Sequence, residues 1–244
     1  MQPFNILFFI RIMRCMCLCV CLIGPANVHA ELTANIALTS DYIFRGISNS
    51  DRKPALQGGI DYAHPDGWYA GSWASSVDFS DGGEAKMEVD AYFGHAGSSG
   101  KFSWNAGWMA FVYPGASSAL KYDTQRISAG VQYDFSSALV GLYVDRVRNV
   151  FGSGPAEYLE TSLLVPLRES VSLDMRIGRQ RYSDNTLLAM PDFTYRNFSL
   201  IWQPAPWEMR LMWHDNGVAQ SACFSGKNWC GPALVLQAVR HFQL

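Results

Sequence analysis

The sequence predicts an all-β fold, a transmembrane antiparallel β-barrel of about 12 strands over residues 31–244. Three observations carry this. Apolar and polar residues alternate along segment after segment, giving each strand one apolar and one polar face. The connections alternate between tight turns and longer loops, a sorting that a barrel with two unlike ends requires and a β-sandwich does not. Charged residues are only 16%, while aromatics reach 14% and glycines number 21; soluble domains carry ~25% charged residues. A net charge of −2 offers no basic surface for nucleic acid.

Residues 1–30 read as a cleaved signal peptide. Arg11 and Arg14 supply its positive region, Cys15 to Ile23 its short apolar core, and Val28-His29-Ala30 the small residues before a cut after Ala30. Cys15, Cys17, Cys19 and Cys21 would leave with it. Export to an oxidising compartment makes Cys223 and Cys230 disulfide candidates; two free thiols are the alternative. No later run reaches the ~18 apolar residues of a membrane helix.

The twelve strands are read at 33–45, 54–64, 68–79, 85–96, 101–113, 124–135, 138–149, 157–166, 170–182, 194–203, 207–216 and 232–242. The first is followed by a polar loop from Ser48 to Pro54. Tight turns follow every second strand: His64-Pro65-Asp66-Gly67, Gly97-Ser98-Ser99-Gly100, Ser136-Ser137, Leu167-Arg168-Glu169 and Pro204-Ala205-Pro206. The other connections are longer, and the last, Gly217 to Gly231, is the longest. An even strand count puts both ends of the chain on the short-turn, periplasmic side of a Gram-negative outer membrane.

The faces sort within strands. Met87, Val89, Ala91 and Phe93 oppose Lys86, Glu88, Asp90 and Tyr92; Val171, Leu173, Met175 and Ile177 oppose Ser172, Asp174, Arg176 and Gly178. One face suits lipid and the other a lumen, and closure pairs every strand edge. Trp68, Tyr69, Phe102, Trp104, Tyr113, Trp202 and Trp207 lie near strand ends, as interfacial girdles do.

The stretch Ser40-Asp41-Tyr42-Ile43-Phe44-Arg45-Gly46-Ile47-Ser48 resembles a family of proteobacterial outer-membrane proteins of the TorF porin type. The likeness runs through Lys53 to Tyr62, Gly67-Trp68-Tyr69-Ala70-Gly71-Ser72-Trp73, Val77-Asp78-Phe79 and Met87 to Gly94. It implies an outer-membrane barrel and a diffusion channel, and brings no catalytic residues and no substrate. Many such barrels end in an aromatic residue read by the outer-membrane assembly machinery; here Phe242 stands two places before the end.

Alternation assigns Asp41, Asp61, Glu88, Asp90, Asp145, Glu160, Asp174 and Glu208 to the lumen, with Arg45, Arg126, Arg176, Arg210 and His214. If hydrated, this excess of carboxylates would pass small polar solutes with a weak cation preference. If the charges pair across a packed interior, the barrel is closed and works through its outer loops. A lipid hydrolase is the third reading. Of His64, His95, His214 and His241, His214 beside Asp215 is the best candidate, yet it falls on the polar face and no His-x-Ser triplet occurs. No metal-ligand spacing or nucleotide fingerprint is present, so no cofactor is expected. The loop 217–231 is expected to fold over the mouth, stiffened by a Cys223–Cys230 bridge if one forms.

Overall fold

The computed structural model describes residues 30–80, 82 and 85–244; the segment read as a signal peptide, residues 1–29, lies outside the described residues. In chain order the strands are β1 (Glu31–Thr39), β2 (Ile43–Phe44), β3 (Ile47–Ser48), β4 (Ala55–Ala63), β5 (Trp68–Ser76), β6 (Met87–Ser99) and β7 (Phe102–Val112). Then come β8 (Thr124–Asp134), β9 (Leu139–Val147), β10 (Ala156–Arg168), β11 (Val171–Tyr182), β12 (Phe193–Trp202), β13 (Trp207–Asp215) and β14 (Ala233–Gln243). All but β2 and β3 belong to one closed antiparallel barrel of twelve strands. It closes where β1 meets β14, Thr33 opposite Gln243 and Thr39 opposite Gln237. Closure leaves no edge among the twelve barrel strands to be satisfied by solvent.

The two faces differ as alternation dictates. On β9, Val140, Leu142 and Val144 are exposed on the outside, while Gly141 and Val147 are buried. On β6, Met87 and Phe93 are exposed, while Glu88 and Asp90 are fully buried. The outer wall is a band of exposed Ile, Leu, Val, Phe and Trp side chains.

The first strand departs from expectation. It stops at Thr39 instead of reaching residue 45, and the chain turns inward. Local chemistry explains the break. The Asp41 carboxylate accepts hydrogen bonds from Ser48 Oγ (2.6 Å) and Ser50 Oγ (3.1 Å), gathering the loop around itself. Arg45 and Gly46 both take positive φ, 51° and 79°, between paired Phe44 and Ile47. Two such residues form the tight turn whose twist suits a hairpin. Glycine is needed at 46 for a second reason: a Cβ there would meet Asn216 and Tyr195 Cβ atoms at 3.0 Å.

The tight aromatic core also lies at the long-loop end. Tyr42, Val77, Phe79, Tyr122, Leu188, Met190, Val218, Cys223 and Trp229 are buried together there, with Phe44, Phe151 and Phe224 packed against them. All six long loops contribute. At the other end Trp68, Phe102, Trp104, Trp202 and Trp207 are exposed on the outer wall. Two aromatics assigned to that girdle lie elsewhere. Tyr113 belongs to the cap, because it continues the inward-facing series Met109, Phe111 at the long-loop end of β7, and Tyr69 is partly buried on the inner face, one residue out of step with Trp68.

Candidate functional site

The candidate site is the barrel interior and the loops that close it. The hairpin of β2 and β3 extends from the β1–β4 wall across the lumen. At its tip Arg45 forms an ion pair with Asp145 of β9, six strands round the barrel from β1, and its Nη1 donates to Gln180 Oε1 of β11 (3.0 Å). The guanidinium lies 4.0 Å from the Tyr158 ring centroid. Both charged side chains are nearly excluded from solvent, 8% and 9% exposed. An arginine fork suits this setting because it makes several directed bonds at once.

Other inner charges are also engaged. Arg176 Nη1 contacts Glu160 Oε1 at 3.0 Å and its Nε contacts Asp174 Oδ2 at 2.9 Å. Glu160 also accepts from the Tyr158 and Tyr195 hydroxyls. Arg210 Nη2 meets Glu208 Oε1 at 2.9 Å. Glu88 accepts from Tyr42 (2.8 Å) and Tyr113 (2.7 Å), and Asp61 from Tyr92. Buried carboxylates require such partners, since taking an ion out of water costs several kcal/mol (about 5 or more) unless it is compensated. Arg126 is the exception among the arginines. It is buried, its guanidinium lies 5.3 Å from the Phe111 ring, its Nη2 reaches only Met109 Sδ at 3.3 Å, and Nε and Nη1 have no partner among the described residues. Both Asp90 oxygens and both His214 ring nitrogens are likewise without a hydrogen bond among the described residues.

Beneath the hairpin lies a cavity of about 180 Å³, large enough for several waters. Arg45, Arg126, Arg176, Arg210, Asp145 and Glu160 line it. His214 faces inward with no hydrogen-bond partner among the described residues, and His95 lies within β6, its ring 5.2 Å from Trp104. No cluster of His, Cys, Asp and Glu suited to a metal occurs among the described residues.

The last long loop holds the hairpin from above. Cys223 and Cys230 are joined in a disulfide, with Cα atoms 6.0 Å apart, and both are buried. Ser48 N donates to Trp229 O (2.9 Å), Arg52 Nε to Asn228 O (2.8 Å), and Asn216 Nδ2 to Gly46 O (2.9 Å). The Trp229 indole packs on Phe79 and donates to Asp51 Oδ1. A neighbouring cluster fastens the second long loop: Lys53 Nζ sits 2.9 Å from Asp78 Oδ2 and 3.1 Å from Asp51 Oδ2. Its hydrogen bond from Lys53 holds the Asp78 carboxyl below the usual carboxylate range, and the two carboxylates hold Lys53 above the usual ammonium range.

Sequence reading missed the tyrosines. Tyr42, Tyr113, Tyr158 and Tyr195 each donate to an inner carboxylate. Their signal was present in one case, since Tyr158 shares a face with Glu160 two residues on.

Comparison with known proteins came to the same architecture. The NanC porin structure superposes with a TM-score of 0.59 at 10% identity, over 87% of this chain and 100% of that one. The KdgM porin gives 0.60 at 8% identity over 86% and 99%, and the KdgM porin in complex with disordered oligogalacturonate gives 0.59 at 7% over 87% and 99%. At such identities the likeness is one of fold. No curated protein sequence matches the chain. A family model described as "Bacterial protein of unknown function (Gcw_chp)" matches residues 24–235.

Proposed function

Because the chain belongs to the Gcw_chp family of bacterial proteins of unknown function, we propose its role from geometry: a Gram-negative outer-membrane channel for small polar solutes, closed at its long-loop mouth by its own loops. The observation that carries this reading is the contrast between the walls. The outside is apolar around the whole barrel, as lipid demands, and the inside is lined with charge around a polar cavity. A barrel filled only for rigidity has no use for a cavity edged by four arginines. The resemblance of the first strands to TorF-type porins and the fold shared with NanC and KdgM porins support the same reading.

The β2–β3 hairpin is the closing element. At its tip Arg45 is held by Asp145, Gln180 and the Tyr158 ring, and from above the hairpin is held by Asn216 and Trp229 of the last long connection. Solute would pass once the hairpin leaves the far wall, and the carboxylate excess would then favour cations weakly. A second reading, a closed barrel acting through its outer loops, draws on the pairing of Arg45, Arg176 and Arg210 with carboxylates and on the aromatic cap. Swelling of proteoliposomes in sugars of graded size separates the two. The channel reading expects monosaccharide entry that rises when the hairpin is removed; the closed-barrel reading expects none in either protein.

A further inference from the structure

The outer wall carries a one-sided belt of arginines that the channel reading does not use. On β9 the exposed series Val140, Leu142, Val144 continues upward as Arg146 and Arg148. On β11 Ile177 is followed on the same face by Arg179 and Arg181, and on β12 Arg196 stands above Phe198 and Leu200. Each outward step of two residues climbs about 6.6 Å along a strand, so these guanidiniums stand directly above the apolar band. Elsewhere on the same rim the outward strand positions are Ser40, Leu56, Ser76, Met87, Val112, Gln125, Asp215 and Leu234, none of them basic, and Lys86 is exposed beside Met87. Two of the five arginines are engaged: Arg146 with Glu157 at 2.9 Å and Arg179 with Asp192 at 4.0 Å. Arg148, Arg181 and Arg196 are exposed and make no ion pair among the described residues.

We propose that this rim of β9–β12 is a binding site for the phosphate groups of lipid in the surrounding leaflet. Guanidinium forks match phosphate oxygens in charge and shape. The height places them where headgroups begin, and Arg148, Arg181 and Arg196, spread over the β9–β12 arc of about three strand spacings or ~14 Å, can grip one doubly phosphorylated headgroup together. The lipid would be seated on one side of the barrel, next to the wall that receives Arg45 at Asp145. The inference rests on the membrane placement proposed above.

The test uses the refolded mature chain in phosphatidylcholine nanodiscs, with bisphosphorylated lipid A or its fully dephosphorylated form as the probe and retention read by native mass spectrometry. The wild type is expected to retain the phosphorylated lipid preferentially. Each arginine near a charged headgroup is worth about fivefold, so Arg148→Gln/Arg181→Gln/Arg196→Gln together should weaken retention roughly 100-fold. Arg240→Gln, on the short-turn rim against Trp207, should leave it unchanged. Equal retention of both lipids by inserted wild type, or a preference untouched by the triple substitution, overturns the lipid site and leaves the membrane reading standing. Failure of the wild type to insert into any bilayer overturns both.

Discussion

Replacing Arg45 by alanine should unlatch the barrel. The substitution removes an ion pair in which both side chains are under a tenth exposed, a 3.0 Å hydrogen bond to Gln180, and a guanidinium seated 4.0 Å from the Tyr158 ring. It strands Asp145 in the interior without its cation, and breaking one side of a buried pair costs about 3–5 kcal/mol. The hairpin has an escape that a wall residue lacks: it can swing out and let water reach Asp145. The cost therefore falls on the closed arrangement, and at 1.4 kcal/mol per tenfold it shifts the closed-to-open ratio by about 100- to 4,000-fold. Single-channel recording of Arg45→Ala in a planar bilayer reads this directly as open probability. Heat-modifiable migration on gels checks that the barrel has formed. A folded Arg45→Ala protein with the same closed fraction as wild type would mean that Arg45 holds nothing shut.

Further outcomes follow from the same geometry. Cys223→Ser/Cys230→Ser should loosen the lid without unfolding the wall. Closing so short a loop is worth on the order of 2.5 kcal/mol, and hydrogen exchange should quicken over 217–231 while β9–β12 keep their protection. Acid should release the second long loop. Asp78 is held below the ordinary carboxylate value of 3.8 by Lys53, so its stabilising pairing is complete above that pH and is lost as pH falls through the lower folded value. Trp229 fluorescence should report an acid transition in the wild type that Asp78→Asn lacks. Glu160→Ala should destabilise the barrel itself by about 3–5 kcal/mol, since Arg176 loses one partner and the Tyr158 and Tyr195 hydroxyls lose their acceptor. Urea unfolding in detergent micelles measures it.

Much of the wall was legible because period-two alternation and turn residues are local signals. All twelve barrel strands lie where those signals put them, with ends displaced by a few residues, apart from the first. There, alternation continues through Tyr42, Phe44 and Arg45 as though the strand did, yet the Asp41–Ser48–Ser50 hydrogen bonds and the paired positive φ angles at Arg45 and Gly46 turn the chain inward. The polar faces were equally visible, as charged residues at every second position. Their partners were not. Arg45 finds Asp145 at a separation of 100 residues, and Tyr42 finds Glu88 at 46. Such meetings depend on how far the hairpin reaches across the lumen, which no local pattern encodes. The aromatic cap was hidden for the same reason: Phe79, Phe151 and Trp229 come from three loops, and only the closed ring brings them together.

On this reading a charged conduit lies beneath a removable hairpin. Thr39 and Ala55 are directly paired, so an Asn-Gly turn can replace residues 40–54 and join β1 to β4 without altering the wall. Single-channel conductance of that variant in asymmetric salt is the most direct measurement. Frequent steps are expected where the wild type is mostly silent. Their reversal potential should be displaced toward cations, since Asp61, Glu88, Asp90, Asp145, Glu160, Asp174 and Glu208 then face only Arg126, Arg176 and Arg210. A folded, inserted variant that stays silent at every voltage would contradict this reading.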